Sequence, residues 1–313
     1  MSVLTFSMRC FMVWVMVWIA LPVTASAGPV DRTLPWVTAQ AAAPRVVYRT
    51  FDSPTVGSKV SYHAYLPSAY ERSDSRLPVL YWLHGTEGGV SGIRPLARFF
   101  DEAMETGRMP PMVVVFVNGL PRRLWADAKD GSSPVETVFI HEVIPNVDRT
   151  FRTIAAREGR LIEGFSMGGY GAARLGFGHS HLFSGISILA GGPLDLELNG
   201  PRAQRSPQTR QQLLQQVCGG DGAYFQALSP WTVVERALPS LRSQAPIVRQ
   251  AVGTLDDSRP LNRQFHDRMS ALGIAHNYIE VPNAGHDTLA LLRSLLASDG
   301  GFYQRALTGS AAP

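Results

Sequence analysis

One serine lies in a setting that favours nucleophilic chemistry. It occupies the middle of the run Gly164-Phe165-Ser166-Met167-Gly168-Gly169. A short apolar stretch at 161–165 leads into it, and a helix-compatible stretch at 170–177 follows. The pattern Gly-x-Ser-x-Gly between a strand and a helix is typical of a nucleophile elbow, whose glycines allow a strained turn that lifts the hydroxyl off the sheet edge. The sequence therefore predicts Ser166 as a catalytic nucleophile.

An activated serine needs a general base, and His286 is the best placed histidine. A nucleophile elbow is followed along the chain by an acid and then by the histidine. His286 stands on a loop directly after the apolar stretch 278–281. The other seven histidines precede the serine, lie within predicted strands, or lie in or beside predicted helices. We therefore predict His286 as the base.

Two adjacent carboxylates, Asp256 and Asp257, are candidates for the acid that orients the imidazole. They follow the apolar stretch 247–252, and open α/β sheets place their sites at the carboxyl ends of strands. Adjacent side chains point in different directions, so only one of the two is expected to reach His286. We favour Asp256 and keep Asp257 as the alternative. The other carboxylate would serve as the N-cap of the helix that starts near residue 260.

The developing oxyanion of an acyl-transfer reaction needs two preorganised N–H donors. One is expected from the backbone of Met167, the residue after the nucleophile. The other is expected from Thr86, in the loop His84-Gly85-Thr86-Glu87-Gly88-Gly89. The alternative for this loop is a phosphate cradle, but it lacks the Lys and Ser/Thr ending of a P-loop. An oxyanion loop is the better interpretation.

Alternating strand and helix patterns must position these loops. An apolar pair of strands joined across a Pro/Gly turn predicts a hairpin over 46–48 and 60–66. Three short runs, 79–83, 112–117 and 161–165, are nearly continuous in apolar residues, which is typical of strands buried on both faces of a sheet. Strands are also predicted over 183–189, 247–252 and 278–281. Helix-compatible stretches lie among them: 94–106, 135–150, 259–272 and 287–296.

This alternation predicts one α/β domain over 44–313, with a mostly parallel central sheet flanked by helices. Pro145 interrupts the second predicted helix, so the sequence does not predict the residue at which that helix ends. The segment 192–245 is rich in Gln, Arg, Pro and Gly and breaks the rhythm. It is interpreted as an insertion or cap above the sheet.

The first residues of the chain have the pattern of a targeting signal. Arg9, a twelve-residue apolar run at 10–21 and the small residues Ala25-Ser26-Ala27 indicate a signal peptide over 1–27, cleaved after Ala27. The alternative, a membrane anchor, would need about 20 apolar residues. We therefore expect a secreted or periplasmic protein with no membrane span after cleavage, and a flexible lead-in over 28–43. The cysteine left after cleavage, Cys218, is expected to be buried.

Composition narrows the classes of partner. The formal net charge is +4, but the basic residues are dispersed and Lys occurs only at Lys59 and Lys129. A nucleic-acid partner is therefore not expected. No Cys/His cluster has zinc spacing. The oligomeric state stays open.

Four blocks carry a family resemblance: Pro78-Val79-Leu80-Tyr81-Trp82-Leu83-His84-Gly85, Glu163-Gly164-Phe165-Ser166-Met167-Gly168-Gly169-Tyr170-Gly171-Ala172, Gly253-Thr254-Leu255-Asp256 and Ala284-Gly285-His286-Asp287. Over 46–296 the chain resembles the esterase family of the α/β-hydrolase superfamily that includes esterase D, feruloyl esterases and the antigen 85 mycolyltransferases. The resemblance implies an α/β-hydrolase fold, a Ser–Asp–His triad and no metal or organic cofactor. Its Gly-Thr-x-Asp block supports Asp256. The chain departs at Asn118, where members often carry an aspartate.

The leading expectation is an exported serine carboxylic ester hydrolase that works through an acyl-enzyme. Export favours a small-molecule or polysaccharide-linked ester, such as a feruloyl or acetyl ester. One alternative is an acyltransferase on cell-envelope sugars or lipids, as in the mycolyltransferase branch. Another is a non-catalytic surface or carbohydrate-binding protein with the same fold.

Overall fold

A computed structural model describes residues 28–191 and 207–309. The predicted signal peptide over 1–27 and the first part of the predicted insertion, 192–206, lie outside the described residues. In the part of the chain that is described, no helix is both long enough and apolar enough to cross a membrane.

Eight strands form one sheet in the order β1-β2-β4-β3-β5-β6-β7-β8. β1 and β2 are an antiparallel hairpin, β2 pairs antiparallel with β4, and the remaining pairings are parallel. The predicted hairpin and the mostly parallel sheet are confirmed. The strand bounds are β1 Val46–Ser53, β2 Ser58–Tyr65, β3 Val79–Leu83, β4 Val113–Val117, β5 Arg160–Phe165, β6 Gly185–Leu189, β7 Ile247–Gly253 and β8 Asn277–Val281.

Helices cover both faces of the sheet, which confirms the single α/β domain. Their bounds are α1 Ser68–Arg72, α2 Val90–Glu105, α3 Val135–Val138, α4 Ile144–Thr150, α5 Met167–Gly178, α6 Pro207–Cys218, α7 Gly222–Leu228, α8 Pro230–Arg236, α9 Leu238–Ser243, α10 Arg259–Ala271, α11 Thr288–Ser298 and α12 Phe302–Thr308. Buried residues of α2, α11 and α12 form one core on one face of the sheet. Buried residues of α3 to α10 form the other core. The fully buried strands β3, β4 and β6 separate the two.

Two predicted helices differ from the structure, one at its start and one in its interior. The helix expected over 94–106 begins at Val90, directly after the oxyanion loop, and Pro95 inside it does not end it. The stretch 135–150 is helical throughout but contains a π-helical turn, Phe139–Val143, before α4. The Ile144 N–H donates to the Phe139 carbonyl five residues back. A π-helical turn is a local insertion in an otherwise α-helical ladder, and Pro145 then stands in the first turn of α4, where a missing N–H is tolerated.

The two segments at the margins of the domain both contact it. The lead-in expected over 28–43 contains no helix or strand, but Trp36 is 2% exposed and packs in the core. The described part of the predicted insertion forms α6 to α9. Phe225 and Leu228 of α7 are buried there, and the Lys129 N–H donates to the Val217 carbonyl at 2.8 Å. These contacts join that part of the insertion to the loop after β4.

Candidate active site

Ser166 sits on the turn between β5 and α5 with φ 59° and ψ −119°. A positive φ is uncommon for a residue other than glycine and marks a strained backbone. A carbon added at Gly168 would lie 1.9 Å from the Leu83 carbonyl oxygen, and one added at Gly164 would lie 2.2 Å from the Gly168 carbonyl oxygen. Both positions therefore require glycine because backbone segments meet there. The strained turn predicted around Ser166 is present.

Ser166, His286 and Asp256 form one hydrogen-bonded chain. The Ser166 Oγ lies 2.9 Å from the His286 Nε2, and the His286 Nδ1 lies 2.6 Å from the Asp256 Oδ2. A carboxylate only accepts hydrogen bonds, so the imidazole carries its proton on Nδ1 and its Nε2 can accept from the serine. Phe165 lies against the imidazole, with ring centroids 4.6 Å apart. The structure thus brings together the three side chains that the sequence placed on three separate loops.

Asp256 is the carboxylate that reaches the imidazole. Its side chain is buried, and its Oδ1 accepts hydrogen bonds from the Ser258 N–H and Oγ, each at 2.7 Å. Burial acts to raise the pKa of Asp256, but the hydrogen bonds from His286 and Ser258 outweigh it and hold the pKa below its usual value. Asp257 is exposed, and the carboxylate that lies 2.6 Å from the imidazole is that of Asp256. The loop is close-packed, since a carbon added at Gly253 would lie 2.1 Å from the Ala284 carbonyl oxygen.

The two predicted oxyanion donors border the serine. Met167 is the first residue of α5, where the backbone N–H has no acceptor within the helix. A carbon added at Gly85 would lie 3.7 Å from the Ser166 Cβ, so the loop that carries Thr86 runs against the nucleophile. Thr86 is half-buried, and its carbonyl accepts from the Arg122 N–H at 2.9 Å. Both donors therefore lie on backbone that is fixed by other contacts.

His84 belongs to the site although the sequence reasoning set it aside for preceding the serine. Its Nδ1 lies 2.7 Å from the Gly85 carbonyl, and the Gly119 N–H donates to its Nε2 at 3.1 Å. These partners require a neutral ring with the proton on Nδ1. Burial lowers the pKa of His84 to about 4, although the hydrogen bond to Gly85 opposes the shift. His84 therefore links the oxyanion loop to the loop after β4.

The loop after β4 has a strained backbone and contacts the loop that carries His84 and Thr86. Four of its residues other than glycine have positive φ: Leu120, Arg122, Leu124 and Trp125. Trp125 is fully buried and donates from its Nε1 to the His84 carbonyl at 3.2 Å. The Arg122 Nη2 donates to both carboxylate oxygens of Glu87, at 2.9 and 3.0 Å. The sequence signal available for this loop was its position after a buried strand, at the same sheet edge as the other site loops.

Metal-ligating side chains do not gather in this site. Within residues 28–191 and 207–309, no three His, Cys, Asp or Glu side chains are grouped as a metal ion would need. Independently of that finding, the hydrogen-bonded Ser166, His286 and Asp256 have the arrangement that nucleophilic catalysis by a serine with a histidine base requires.

Comparison with known proteins identifies the family. Residues 53–290 match the model of the Esterase family, described as "Putative esterase". The chain belongs to the esterase family. It is 30% identical over 166 residues to an endo-1,4-beta-xylanase/feruloyl esterase of Xylanibacter ruminicola, covering 49% of this chain and 23% of the relative. It is 27% identical over 271 residues to Esterase MT1326 of Mycobacterium tuberculosis, covering 78% of this chain and 56% of the relative. The chain thus spans about a quarter to just over half the length of these relatives.

Solved structures of esterases share the architecture. A ferulic acid esterase superposes with a TM-score of 0.67 at 24% identity, covering 83% of this chain and 97% of that chain. An S-formylglutathione hydrolase from Agrobacterium tumefaciens superposes with a TM-score of 0.66 at 17% identity, covering 86% of this chain and 98% of that chain. These likenesses confirm the predicted α/β-hydrolase fold.

Proposed function

We propose that this esterase-family protein is an exported serine carboxylic ester hydrolase with Ser166, His286 and Asp256 as its catalytic triad. The observation that carries the proposal is the continuous chain from the Ser166 Oγ through both imidazole nitrogens to a buried carboxylate. This is the geometry that lets a weak hydroxyl nucleophile attack a carbonyl. The matching family model and the esterase relatives support the same activity.

The geometry supports a two-step reaction. The Ser166 Oγ attacks the ester carbonyl as His286 takes the hydroxyl proton on Nε2, while Asp256 stabilises the imidazolium that forms. The Thr86 and Met167 N–H groups stabilise the oxyanion of the tetrahedral intermediate. His286 then gives the proton to the leaving alkoxide, and an acyl-enzyme remains on Ser166. A water molecule, deprotonated by His286, hydrolyses the acyl-enzyme and restores the serine.

The substrate class we propose is an acyl ester, such as a feruloyl or acetyl ester, carried by a polysaccharide. Two proteins similar to this chain are named as feruloyl or ferulic acid esterases, which supports an ester of that kind. Export follows from the pattern of the first 27 residues, and it would place the enzyme where polysaccharides are found.

A fluorophosphonate probe tests the proposal directly, because it reacts with activated serines. We expect labelling of the wild-type protein at Ser166, no labelling of Ser166→Ala, and normal labelling of Ser240→Ala, which removes an exposed hydroxyl on α9. Hydrolysis of methyl ferulate should fall by a factor on the order of 10⁶ in Ser166→Ala. A folded wild-type protein that is neither labelled nor hydrolytic would refute the proposal.

Product analysis separates hydrolysis from acyl transfer. With an acyl ester and a sugar acceptor both present, a hydrolase releases the free acid, and an acyltransferase places the acyl group on the sugar. Acylated sugar as the main product would replace the hydrolase proposal with the transferase alternative.

A further inference from the structure

A groove lined by three arginines lies along α2 and α11, the helices that begin next to the predicted oxyanion loop and next to His286. Arg94 and Arg98 of α2 and Arg293 of α11 border a cavity of about 460 Å³, with Phe99 and Leu289 among its apolar residues. Its volume falls in the range of small-molecule sites, about 300–1,000 Å³. We call this feature the arginine groove.

Among residues 28–191 and 207–309, three arginines and only two carboxylates border the arginine groove. Both carboxylates already have partners. The Asp101 carboxylate accepts from Arg45 at 2.5 Å and from the Tyr65 hydroxyl at 2.7 Å, and the Glu102 carboxylate pairs with Arg108 at 3.4 Å. Within the described residues, the groove's three arginines form no ion pair. Arg94 and Arg98 stand four residues apart on one helix face, where like charges repel.

The starting points of α2 and α11 indicate that the arginine groove would contact the alcohol portion of an ester. The helix α2 begins directly after the oxyanion loop, and α11 begins two residues after His286. His286 must reach the leaving oxygen to protonate it, so the alcohol portion of the substrate lies on the side of this histidine. Leu289 is in the first turn of α11, and Arg293 lies about 8 Å along the helix from its start. A sugar chain that leaves the site along α11 would therefore pass the arginines.

We propose that the arginine groove binds carboxylates on the alcohol side of the substrate, so that the enzyme prefers acyl esters carried by a uronate-containing polysaccharide. This inference rests on the proposed function for its catalytic part. A guanidinium is a planar fork that binds a carboxylate through two parallel hydrogen bonds. Arginines on both walls of the groove fit a chain that presents carboxylates at intervals.

Binding of a chain without an ester tests the groove independently of catalysis. We would titrate the wild-type protein with oligogalacturonate and, separately, with a neutral xylo-oligosaccharide of equal length. We expect oligogalacturonate to bind more tightly and its affinity to fall as NaCl is raised, because surface charge interactions are screened. The variant Arg94→Gln/Arg98→Gln/Arg293→Gln should lose at least about tenfold in affinity for the acidic chain and little for the neutral one.

A matched variant controls for the loss of three charges. Arg149→Gln/Arg236→Gln/Arg242→Gln removes three exposed arginines on α4, α8 and α9, which cover the opposite face of the sheet. It should bind oligogalacturonate as the wild type does. An equal loss in this control variant, or equal wild-type affinity for acidic and neutral chains, would overturn the inference. Tighter binding of a phosphate-bearing oligosaccharide of the same length would overturn the assignment to uronate.

Kinetics then connect the groove to the reaction. With the same acyl group on an acidic and on a neutral oligosaccharide, the groove variant should raise KM for the acidic ester by at least about tenfold and leave kcat unchanged, as loss of uniform binding does. Methyl ferulate, which has no sugar, should be hydrolysed equally by variant and wild type. If the wild type hydrolyses no ester but still binds oligogalacturonate through the groove, the proposed function fails and the groove assignment stands.

Discussion

Acidification is expected to destabilise this protein through His84. His84 is 6% exposed, and its ring is held neutral, with Nε2 accepting from the Gly119 N–H and Nδ1 donating to the Gly85 carbonyl. A proton added to Nε2 would remove the acceptor for the Gly119 N–H and place a charge among buried groups. The folded state therefore resists a proton that the unfolded chain accepts.

The size of the effect follows from the two pKa values of His84. In the unfolded chain a histidine titrates near 6.5, and in the folded protein burial lowers the pKa of His84 to about 4. Because the unfolded state binds more protons between these values, the free energy of unfolding falls as the pH drops through this window, and the contribution is fully present above about pH 6.5. At 1.36 kcal/mol per pKa unit, His84 alone accounts for a loss of about 2 kcal/mol by pH 5 and about 3 kcal/mol by pH 4.

Urea denaturation between pH 7 and pH 4.5 measures this contribution. His84→Gln should be less stable than the wild type at pH 7, because buried contacts are lost, yet its stability should fall by about 2 kcal/mol less between pH 7 and pH 5. His141→Gln, which replaces an exposed histidine, should follow the wild-type curve. His63, whose pKa burial also lowers to about 4, should add a second contribution in the same window. A constant difference between wild type and His84→Gln across the pH range would refute the reasoning.

Three further perturbations discriminate between neighbouring groups. Asp256→Asn should lower kcat by a factor on the order of 10⁴, while Asp257→Asn should change it by no more than about twofold in the same ester assay; equal losses would contradict the assignment of the acid. Gly168→Ala should unfold at far lower urea concentration than Gly222→Ala, because an added carbon meets a β3 carbonyl oxygen at 1.9 Å in the first and open space in the second. Burial, with a nearby carboxylate, raises the pKa of the Cys218 thiol to about 11, so iodoacetamide should leave it unmodified in the folded protein at pH 8 and alkylate it in urea.

The fold was predictable because its central strands are buried on both faces. The runs 79–83 and 112–117 are continuous in apolar residues, and the structure places fully buried strands at Val79–Leu83 and Val113–Val117. The predicted start of α2 was four residues too late, because Gly92 and Pro95 have low helix propensity and hide its first turns in the sequence. Packing of the buried face of α2 against the sheet outweighs these local preferences.

The candidate triad could be proposed from sequence because each member follows a strand, in an order that the elbow architecture fixes. The part that could not be predicted is the support of the oxyanion loop. His84 looks like any histidine at a strand end until its burial and its two hydrogen bonds are known. The positive φ angles at leucine, arginine and tryptophan could not be predicted from the sequence either, because residues of these types disfavour that conformation.

The strained residues at 120–125 keep their conformation because buried contacts hold them. Each positive φ at a residue other than glycine costs on the order of 1–3 kcal/mol, so the conformation requires contacts that fix it. Leu124 and Trp125 are fully buried, and Gly119 leaves room for the Trp125 ring, since a carbon added there would lie 2.4 Å from it. Apolar burial thus holds the loop in the shape that lets Arg122 bond to the carbonyl of Thr86. The buried core thereby fixes the backbone of the loop that carries Thr86, and this loop runs against Ser166.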